Sequence, residues 1–390
     1  MNTIYQLWGI PSPQTDWDGL LRKVDLLQDR HPADALVCGI QAPKDAYTRI
    51  IRRARQDGTE VYLWQPVFSE LDELAVFDPL VDWRGNAFLS NRELDGFRFR
   101  CPGSSRNREI FFHDSLDWLQ AGDFDGVFLD RIRFPSFQFG LSGILGCFCP
   151  HCLKKYERMG LASDSLRAAC ERICRSIEAK EANPLGLLSF DGHRWIFRDP
   201  DIQAMFDARC TVLEETMTAL CAAYRERGYK IGLDLFTPAL AYFAGQDFDR
   251  LVPLSDFSKP MMYLDTDAPA GLPYELDAVA EHTGEQSRKM MMSLSGGNTI
   301  DDFASAEIRR LTARYNSLYP SVRIYCGMEY NRVADLAHVG PCEIAHTLYV
   351  FRGAGANGVM PSWSLISAPD DNIESLLTTL GEMDRPGGPA

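Results

Sequence analysis

Short runs of apolar residues recur along this chain and alternate with longer amphipathic segments. The runs have the length of buried strands, and the segments between them show the three- to four-residue spacing of helices. Strand–helix–strand spacings of about 25 to 30 residues are typical of βαβ units, whose strands are parallel. The runs that we predict as strands are residues 4–10, 35–41, 60–68, 126–130, 230–236, 256–264, 322–331 and 358–363. This pattern predicts an α/β fold, the (β/α)8 TIM barrel.

The predicted barrel takes up residues 1–380 as a single domain with two elaborated βα loops. Residues 69–103 and 134–200, after strands 3 and 4, are too long for ordinary connections, so we expect them to carry function or small elements of their own. A ninth apolar run, residues 289–294, has no place in a ring of eight and is interpreted as an insertion or a helix end. Residues 381–390, which end in RPGGPA, are predicted to be a flexible tail.

The connection after strand 4 contains three cysteines within six residues, at C-x-C-x-x-C spacing. They are Cys147, Cys149 and Cys152. A tetrahedral metal site needs a fourth ligand, for which Cys101 is the best candidate because it begins the helix that leads into strand 4. His151 and His113 are the alternatives. Four thiolates around one ion indicate a structural zinc site closed to substrate, and we expect no organic cofactor.

This part of the chain resembles the family-42 β-galactosidases. The resemblance covers roughly residues 97–156 and rests on FRFRCPGSS, a helix, the fourth strand and then C-x-C-x-x-C. It implies that the four cysteines together hold a zinc ion beside the barrel. Those enzymes also carry an Asn-Glu pair at the end of strand 4, with the glutamate as acid/base. This chain has Asp-Arg-Ile at residues 130–132 instead, so that glutamate is absent.

Three motifs resemble the glycoside-hydrolase-like TIM-barrel families. They are DGVFLDRIRFPS, DFSKPMMYL and GANGVMPSW, at predicted strands 4, 6 and 8. Typical forms in those families are an Asp-Gly-hydrophobic run ending in Leu-Asp-x-x-Arg-aromatic-Pro, an Asp-x-x-x-Pro-Met-x-Tyr strand and a Gly-Ala-x-Gly strand. The resemblance implies a TIM barrel and, more loosely, a reaction on a glycosidic bond, with a carbohydrate as the substrate.

Glycoside cleavage needs two carboxyl groups across the scissile bond. Asp130 and Glu329 end predicted strands 4 and 7, which face each other across the barrel, and we predict them as the catalytic pair. Our first assignment makes Glu329 the nucleophile and Asp130 the acid/base. Arg131 and Arg133 would lower the pKa of Asp130, which suits a nucleophile better. The reverse roles therefore stay open.

Other side chains near the predicted carboxyl ends of strands are candidates for sugar binding. Aromatic rings cover the apolar faces of sugars, and amides, acids and guanidinium groups bond to the hydroxyls. The candidates are Trp8, Trp64, Gln65, Arg131, Arg133, Asp234, Tyr263, Asp265, Asn331 and Trp363. Either Asp234 or Asp265 could also replace a member of the catalytic pair.

The composition limits the kinds of binding partner and the cellular compartment that we expect. The chain has 390 residues, 45% of them hydrophobic, and a net charge of −14, which argues against nucleic acid and anionic membrane surfaces as partners. It contains no apolar run of about 18 residues, and its first residues lack the basic and apolar regions of a signal peptide. Eleven cysteines, an odd number, favour a reducing compartment and a cytoplasmic location. A homo-oligomer stays open.

We therefore expect a glycoside hydrolase on a TIM barrel with a structural zinc site. One alternative is a carbohydrate-binding barrel that does not hydrolyse, because the acid/base glutamate of family 42 is missing. Another is a different hydrolase or a lyase that uses Asp130 and Asp234, with Asp265 as a third acid.

Overall fold

Eight parallel strands form a closed barrel in the computed structural model, which describes residues 1–70, 77–87 and 98–385. The strands are β1 (Asn2–Gln6), β2 (Ala35–Cys38), β3 (Glu60–Pro66), β4 (Gly126–Asp130), β5 (Lys230–Phe236), β6 (Phe257–Met261), β7 (Cys326–Glu329) and β8 (Gly358–Ser362). β1 pairs with both β2 and β8, and β6 pairs with both β5 and β7, so the ring has no free edge. The predicted (β/α)8 barrel is confirmed.

Helices cover the outside of the barrel between successive strands. They are Trp17–Arg30, Lys44–Gln56, Ser105–Leu119, Pro200–Arg225, Leu272–Thr283, Glu285–Leu294, Ile300–Leu318, Pro341–Gly353 and Asp370–Met383. The first begins after Asp16, whose side chain caps the helix by accepting a hydrogen bond from the backbone N–H of Gly19. The ninth apolar run, residues 289–294, lies in the helix Glu285–Leu294, as its interpretation as an insertion or a helix end allows.

The long connections after β3 and β4 carry structure of their own. After β4 come a 3-10 turn, three helices and a hairpin: Phe137–Phe139, Gly140–Ile144, Pro150–Arg158, Ser163–Glu178, and the paired strands Leu187–Phe190 and Trp195–Phe197. After β3, the short strands Ser69–Glu70 and Arg98–Phe99 pair antiparallel. Residues 71–76 and 88–97 of that connection lie outside the described residues.

Smaller elements lie in the connections between the barrel strands. Pro238–Ala241 and Phe248–Leu251, with the 3-10 turns Tyr242–Ala244 and Val252–Leu254, connect β5 to β6. Arg323–Ile324 pairs with the start of β6, and Arg332–Val333 pairs with Ala337–His338. The last helix, Asp370–Met383, extends into the predicted tail, of which residues 386–390 lie outside the described part of the chain. None of the described helices combines the length and apolar character needed to cross a membrane.

Aromatic rings fill the barrel interior below the carboxyl ends of the strands. Phe128 of β4 and Phe257 of β6 stack with ring centroids 5.6 Å apart. Between them, Gly232 of β5 stands in register with both, and a Cβ there would lie 2.3 Å from the ring of Phe257. Glycine is therefore required for the two rings to meet. Because side chains alternate along a strand, the residues two positions further along β4, β5 and β6 form the next layer up.

Candidate active site

A cleft of about 460 Å³ opens above this aromatic layer, at the carboxyl ends of the strands. This is the end of an α/β barrel at which binding and catalytic groups are found. The described residues that line it are Gln6, Gly9, Ile10, Trp64, Asp130, Arg131, Arg133, Asp234, Lys259, Met261, Tyr263, Ala268, Pro269, Ala270, Leu336, Trp363, Ser364 and Ser367.

Asp130, the last residue of β4, is held at the cleft by two uncharged donors. The indole Nε1–H of Trp64 donates to its Oδ2 at 2.8 Å, and the backbone N–H of Arg131 donates to its Oδ1 at 2.5 Å. Arg131 has a φ of 54°, a left-handed conformation that turns the chain back over the carboxylate. Its Nη1 also donates to the carbonyl of Ser69 at 3.1 Å. The orientation of the Asp130 carboxylate is thus determined at both oxygens.

Asp234 of β5 and Lys259 of β6 are paired in register, and both are buried. The ammonium Nζ of Lys259 donates to Asp234 Oδ2 at 3.0 Å and to the hydroxyl of Tyr263 at 2.5 Å. Burial raises the pKa of Asp234 to about 7; the charge of Asp130 adds to this and the ammonium of Lys259 opposes it. Burial disfavours the charged form of Lys259, but its attraction to Asp234 prevails and raises its pKa.

Two buried oxygens in the cleft have no hydrogen-bond partner among the described residues. They are Oδ1 of Asp234 and Oε1 of Gln6, the last residue of β1. Both side chains line the cleft. A buried acceptor without a partner is costly, and a ligand with hydroxyl groups would supply the missing donors.

Arg133 lies deeper in the wall of the cleft than Arg131 and is 4% exposed. Its guanidinium group packs against two aromatic rings, 5.1 Å from the centroid of Phe99 and 4.5 Å from that of Phe236. Its Nη1 donates to the carbonyl of Phe134 at 3.4 Å. The rings hold the planar group in one orientation.

Aromatic and apolar side chains form the other walls. Tyr263 and Trp363 meet edge to face with ring centroids 6.0 Å apart. Ile10 and Leu336 at the mouth are 41% and 40% exposed, which is unusual for large apolar side chains. Such surfaces suit the apolar face of a sugar ring.

Glu329 ends β7 but does not line the cleft. It is buried, and its Oε1 accepts hydrogen bonds from the backbone N–H of Asp265 at 2.9 Å and from the hydroxyl of Thr266 at 2.8 Å. Burial raises the pKa of Glu329 to about 7. Its contacts hold the chain that follows β6. Asp265 also lies outside the cleft lining, and burial raises its pKa.

Three further predicted binding residues point elsewhere. Trp8 packs against Trp17 and donates from Nε1 to the carbonyl of Ile40 at 3.3 Å. Gln65 accepts a hydrogen bond from the hydroxyl of Tyr224 at 2.6 Å on the helix side of the barrel. Asn331 Oδ1 accepts from the backbone N–H of Trp363 at 2.9 Å.

The structure thus places seven of the predicted residues in one cleft. They are Asp130, Trp64, Arg131, Arg133, Asp234, Tyr263 and Trp363. Lys259 and Gln6 were not among the predicted site residues. A sequence signal for Lys259 exists, because a lysine inside the apolar run FSKPMM must find a buried counter-charge.

The four predicted cysteine ligands come together beside the barrel, all buried. The Sγ atom of Cys101 lies 3.3 Å from that of Cys149, 3.4 Å from that of Cys152 and 3.8 Å from that of Cys147. Four sulfurs at about 2.3 Å from one tetrahedral ion would lie about 3.8 Å apart, so the cluster has the size of a metal site. Of the proposed fourth ligands the structure selects Cys101.

Backbone groups support the cluster. The N–H groups of Val81 and Cys149 donate to Cys147 Sγ, each at 3.4 Å. A Cβ on Gly103 would lie only 2.7 Å from Cys152 Sγ, so glycine is required for the backbone to pass this close to the cluster. His151 is exposed and pairs with Asp78 at 3.1 Å instead. The residues present therefore fit a structural metal ion.

Comparisons with known proteins add the fold relationship. No family model and no curated protein sequence matches the chain. Among solved structures, the glycoside hydrolase domain of PgaB (BpsB) from Bordetella bronchiseptica matches at 15% identity, with 98% of each chain covered and a TM-score of 0.59. A β-galactosidase from Marinomonas ef1 matches at 11% identity and a TM-score of 0.57, over 98% of this chain and 59% of that one.

An α-L-fucosidase isoenzyme 2 from Paenibacillus thiaminolyticus matches at 10% identity and a TM-score of 0.54, over 98% of this chain and 49% of that one. The chain therefore spans about half the length of the last two proteins. At such identities the likeness establishes the fold alone, a (β/α)8 barrel.

Proposed function

We propose that this protein is a glycoside hydrolase with Asp130 and Asp234 as its two carboxyl groups. The observation that carries the proposal is that both line one cleft in different surroundings. Asp130 accepts hydrogen bonds from uncharged donors at both oxygens, whereas burial raises the pKa of Asp234 to about 7. In many enzymes two carboxyl groups lie in different surroundings and therefore have different pKa values. One then serves as the acid and the other as the nucleophile. The names of the structural neighbours agree with this class.

In this proposal Asp130 is the nucleophile and Asp234 the acid/base. Asp130 takes the nucleophile role because two uncharged donors fix the orientation of its carboxylate and Arg131 follows it directly in the chain. Leu129 of β4 pairs with Leu233 of β5, so the next residues, Asp130 and Asp234, lie side by side on neighbouring strands. Neighbouring strands lie about 4.8 Å apart, close to the carboxyl separation of about 5 Å in retaining enzymes. We therefore expect retention, which NMR of the first-formed sugar would test.

The first experiment is a panel of aryl glycosides in both anomeric forms. Wild type is compared with Asp130→Asn, Asp234→Asn and the control Asp123→Asn, whose side chain is 95% exposed. We expect cleavage of at least one glycoside, its loss in both cleft variants and its retention in the control. Full activity of either cleft variant, with folding verified by circular dichroism, would exclude the proposed pair.

The main competing function is a carbohydrate-binding barrel without hydrolysis. The ion pair between Lys259 and Asp234 favours this alternative. The ammonium stabilises the charged form of Asp234, whereas an acid catalyst must be protonated. Calorimetric binding of an oligosaccharide that stays intact through long incubation with wild type would support this alternative.

We further propose that the metal in the four-cysteine cluster is zinc, in line with the resemblance to family 42. Four thiolates and no open position make its role structural. We expect about one zinc per chain by mass spectrometry of the metal, and loss of that zinc with a lower melting temperature in Cys149→Ser. Cys342→Ser, at an exposed cysteine, is the matched control. Unchanged melting after complete metal loss would contradict the role.

A further inference from the structure

The wall of the cleft differs in charge from the protein as a whole. The chain carries a net charge of −14. Among the described residues that line the cleft, however, three are cationic, Arg131, Arg133 and Lys259, and two are acidic, Asp130 and Asp234. An acidic protein that concentrates cations at its carboxyl-end cleft attracts anions to that place.

The proposed reaction enlarges this excess. An acid catalyst must start protonated, so in the active form Asp234 is neutral and Asp130 is the negative charge that remains among the described residues lining the cleft. Lys259 is engaged with Asp234 and with the hydroxyl of Tyr263. Asp130 receives its described hydrogen bonds from uncharged groups. With Asp234 neutral, the three cations among the described residues of the wall outnumber Asp130, the acidic residue that stays charged.

Arg133 is the cation best placed to meet a ligand. It is buried, yet no described carboxylate forms an ion pair with it, and its described hydrogen bond goes to the carbonyl of Phe134. Glu275 attracts it at longer range, as do Asp130 and Asp234. Glu275 does not line the cleft, and its Oε1 accepts from the hydroxyl of Ser136 at 3.0 Å.

The geometry of Arg133 suits a planar anion. Phe99 and Phe236 hold the guanidinium in one orientation, so little side-chain freedom is lost when its N–H groups bind. A planar guanidinium matches a carboxylate through two parallel hydrogen bonds. Arg131, at the same strand end, adds a second positive charge near Trp64, whose ring centroid lies 5.6 Å from its guanidinium carbon.

We propose that the substrate is a glycoside whose sugar carries a carboxylate, a uronide, and that Arg133 binds this group with Arg131 beside it. The inference rests on the proposed function and specifies its substrate class. The apolar mouth, with Ile10, Leu336 and Trp363, then contacts the uncharged part of the substrate.

Matched substrate pairs test the inference directly. The 4-nitrophenyl glucuronide and glucoside, and the galacturonide and galactoside, differ in whether carbon 6 is a carboxylate or an alcohol. We expect kcat/KM to be at least about tenfold higher for one uronide than for its neutral partner, the effect of one charged hydrogen-bond pair. The advantage should shrink with added NaCl, because salt screens the attraction.

Variants assign the preference to the arginines. In Arg133→Gln the ratio of kcat/KM for uronide over neutral glycoside should fall roughly 10- to 100-fold, mainly through KM for the uronide. Arg131→Gln, at a less buried position, should lower the ratio less and gives a second test if Arg133→Gln does not fold. Arg52→Gln, on the outer helix Lys44–Gln56, removes a charge far from the strand ends and should leave the ratio unchanged.

Binding separates this inference from the proposed hydrolysis. Glucuronate and galacturonate are compared with glucose and galactose by calorimetry on the wild-type protein. Uronate binding that Arg133→Gln abolishes would support the inference even if no glycoside is cleaved. Neutral glycosides cleaved as well as uronides would overturn it and leave the hydrolase proposal standing. No preference for uronates in either assay would also overturn it.

Discussion

Asp234 and Glu329 are two buried acids at the carboxyl ends of barrel strands, and burial raises the pKa of each to about 7. Their surroundings differ. Asp234 lines the cleft, pairs with Lys259 and keeps one oxygen without a partner among the described residues. Glu329 lies outside the cleft lining and bonds to the backbone of Asp265 and the hydroxyl of Thr266.

The comparison shows that a raised pKa reports burial and does not by itself identify a catalytic acid. A proton donor must also reach the substrate. Asp234 meets this condition because its free oxygen lies in the cleft wall. Glu329 accepts hydrogen bonds from the chain after β6, so we expect its proton to affect stability rather than turnover.

The sharpest test of this contrast exchanges each acid for its amide. Asp234→Asn should lower kcat/KM on an unactivated glycoside by roughly 10²- to 10⁴-fold, the usual contribution of a general acid. Glu329→Gln should lower it by less than about tenfold, because the amide oxygen still accepts both hydrogen bonds. A large loss in Glu329→Gln with an unchanged melting temperature would restore Glu329 as a catalytic candidate.

The pH dependence of turnover should follow Asp234. Since the acid must be protonated and the pKa of Asp234 is about 7, kcat/KM should fall above pH 7, by about tenfold per pH unit. The same alkaline limb should persist in Glu329→Gln. If the alkaline limb of the pH profile of kcat/KM shifts in Glu329→Gln, measured on the same substrate, the wrong acid has been assigned.

Lys259→Met should shift the alkaline limb of the pH profile of kcat/KM to higher pH. The ammonium lowers the pKa of Asp234, so its removal should raise this pKa and extend activity to higher pH. Methionine preserves most of the buried volume. The shift is read from pH profiles of kcat/KM for the two proteins, and a limb displaced to lower pH would contradict the assigned ion pair.

Glu329 should make the free energy of unfolding depend on pH. The folded protein holds the proton of Glu329 up to about pH 7, whereas the ordinary pKa of a glutamate is 4.5. The folded state therefore binds more protons in this window, and stability falls as pH rises from about 4.5 to about 7, by up to about 1.4 kcal/mol per pH unit. Glu329→Gln should flatten this slope in urea titrations. An unchanged slope would show that Glu329 is already ionised.

Much of the architecture could be predicted because its causes are local in sequence. The spacing of the apolar runs indicates parallel strands, and eight of them is the strand number of a TIM barrel. The three cysteines from Cys147 to Cys152 stand so close together that a metal site is a strong prediction. The strand ends at Asp130 and Asp234 are likewise visible as acids that terminate or interrupt apolar runs.

Only the tertiary structure decided which strand-end side chains face the cleft. Parallel strands are buried on both faces, so their sequences lack the polar alternation that would reveal orientation. Neighbours such as Trp64 and Gln65 therefore point to opposite sides, and one lines the cleft while the other meets Tyr224 on a helix. The sequence determined the barrel, the cysteine set and the acids, but only ring closure placed Asp234 in the cleft lining, left Glu329 outside it and brought Lys259 to Asp234.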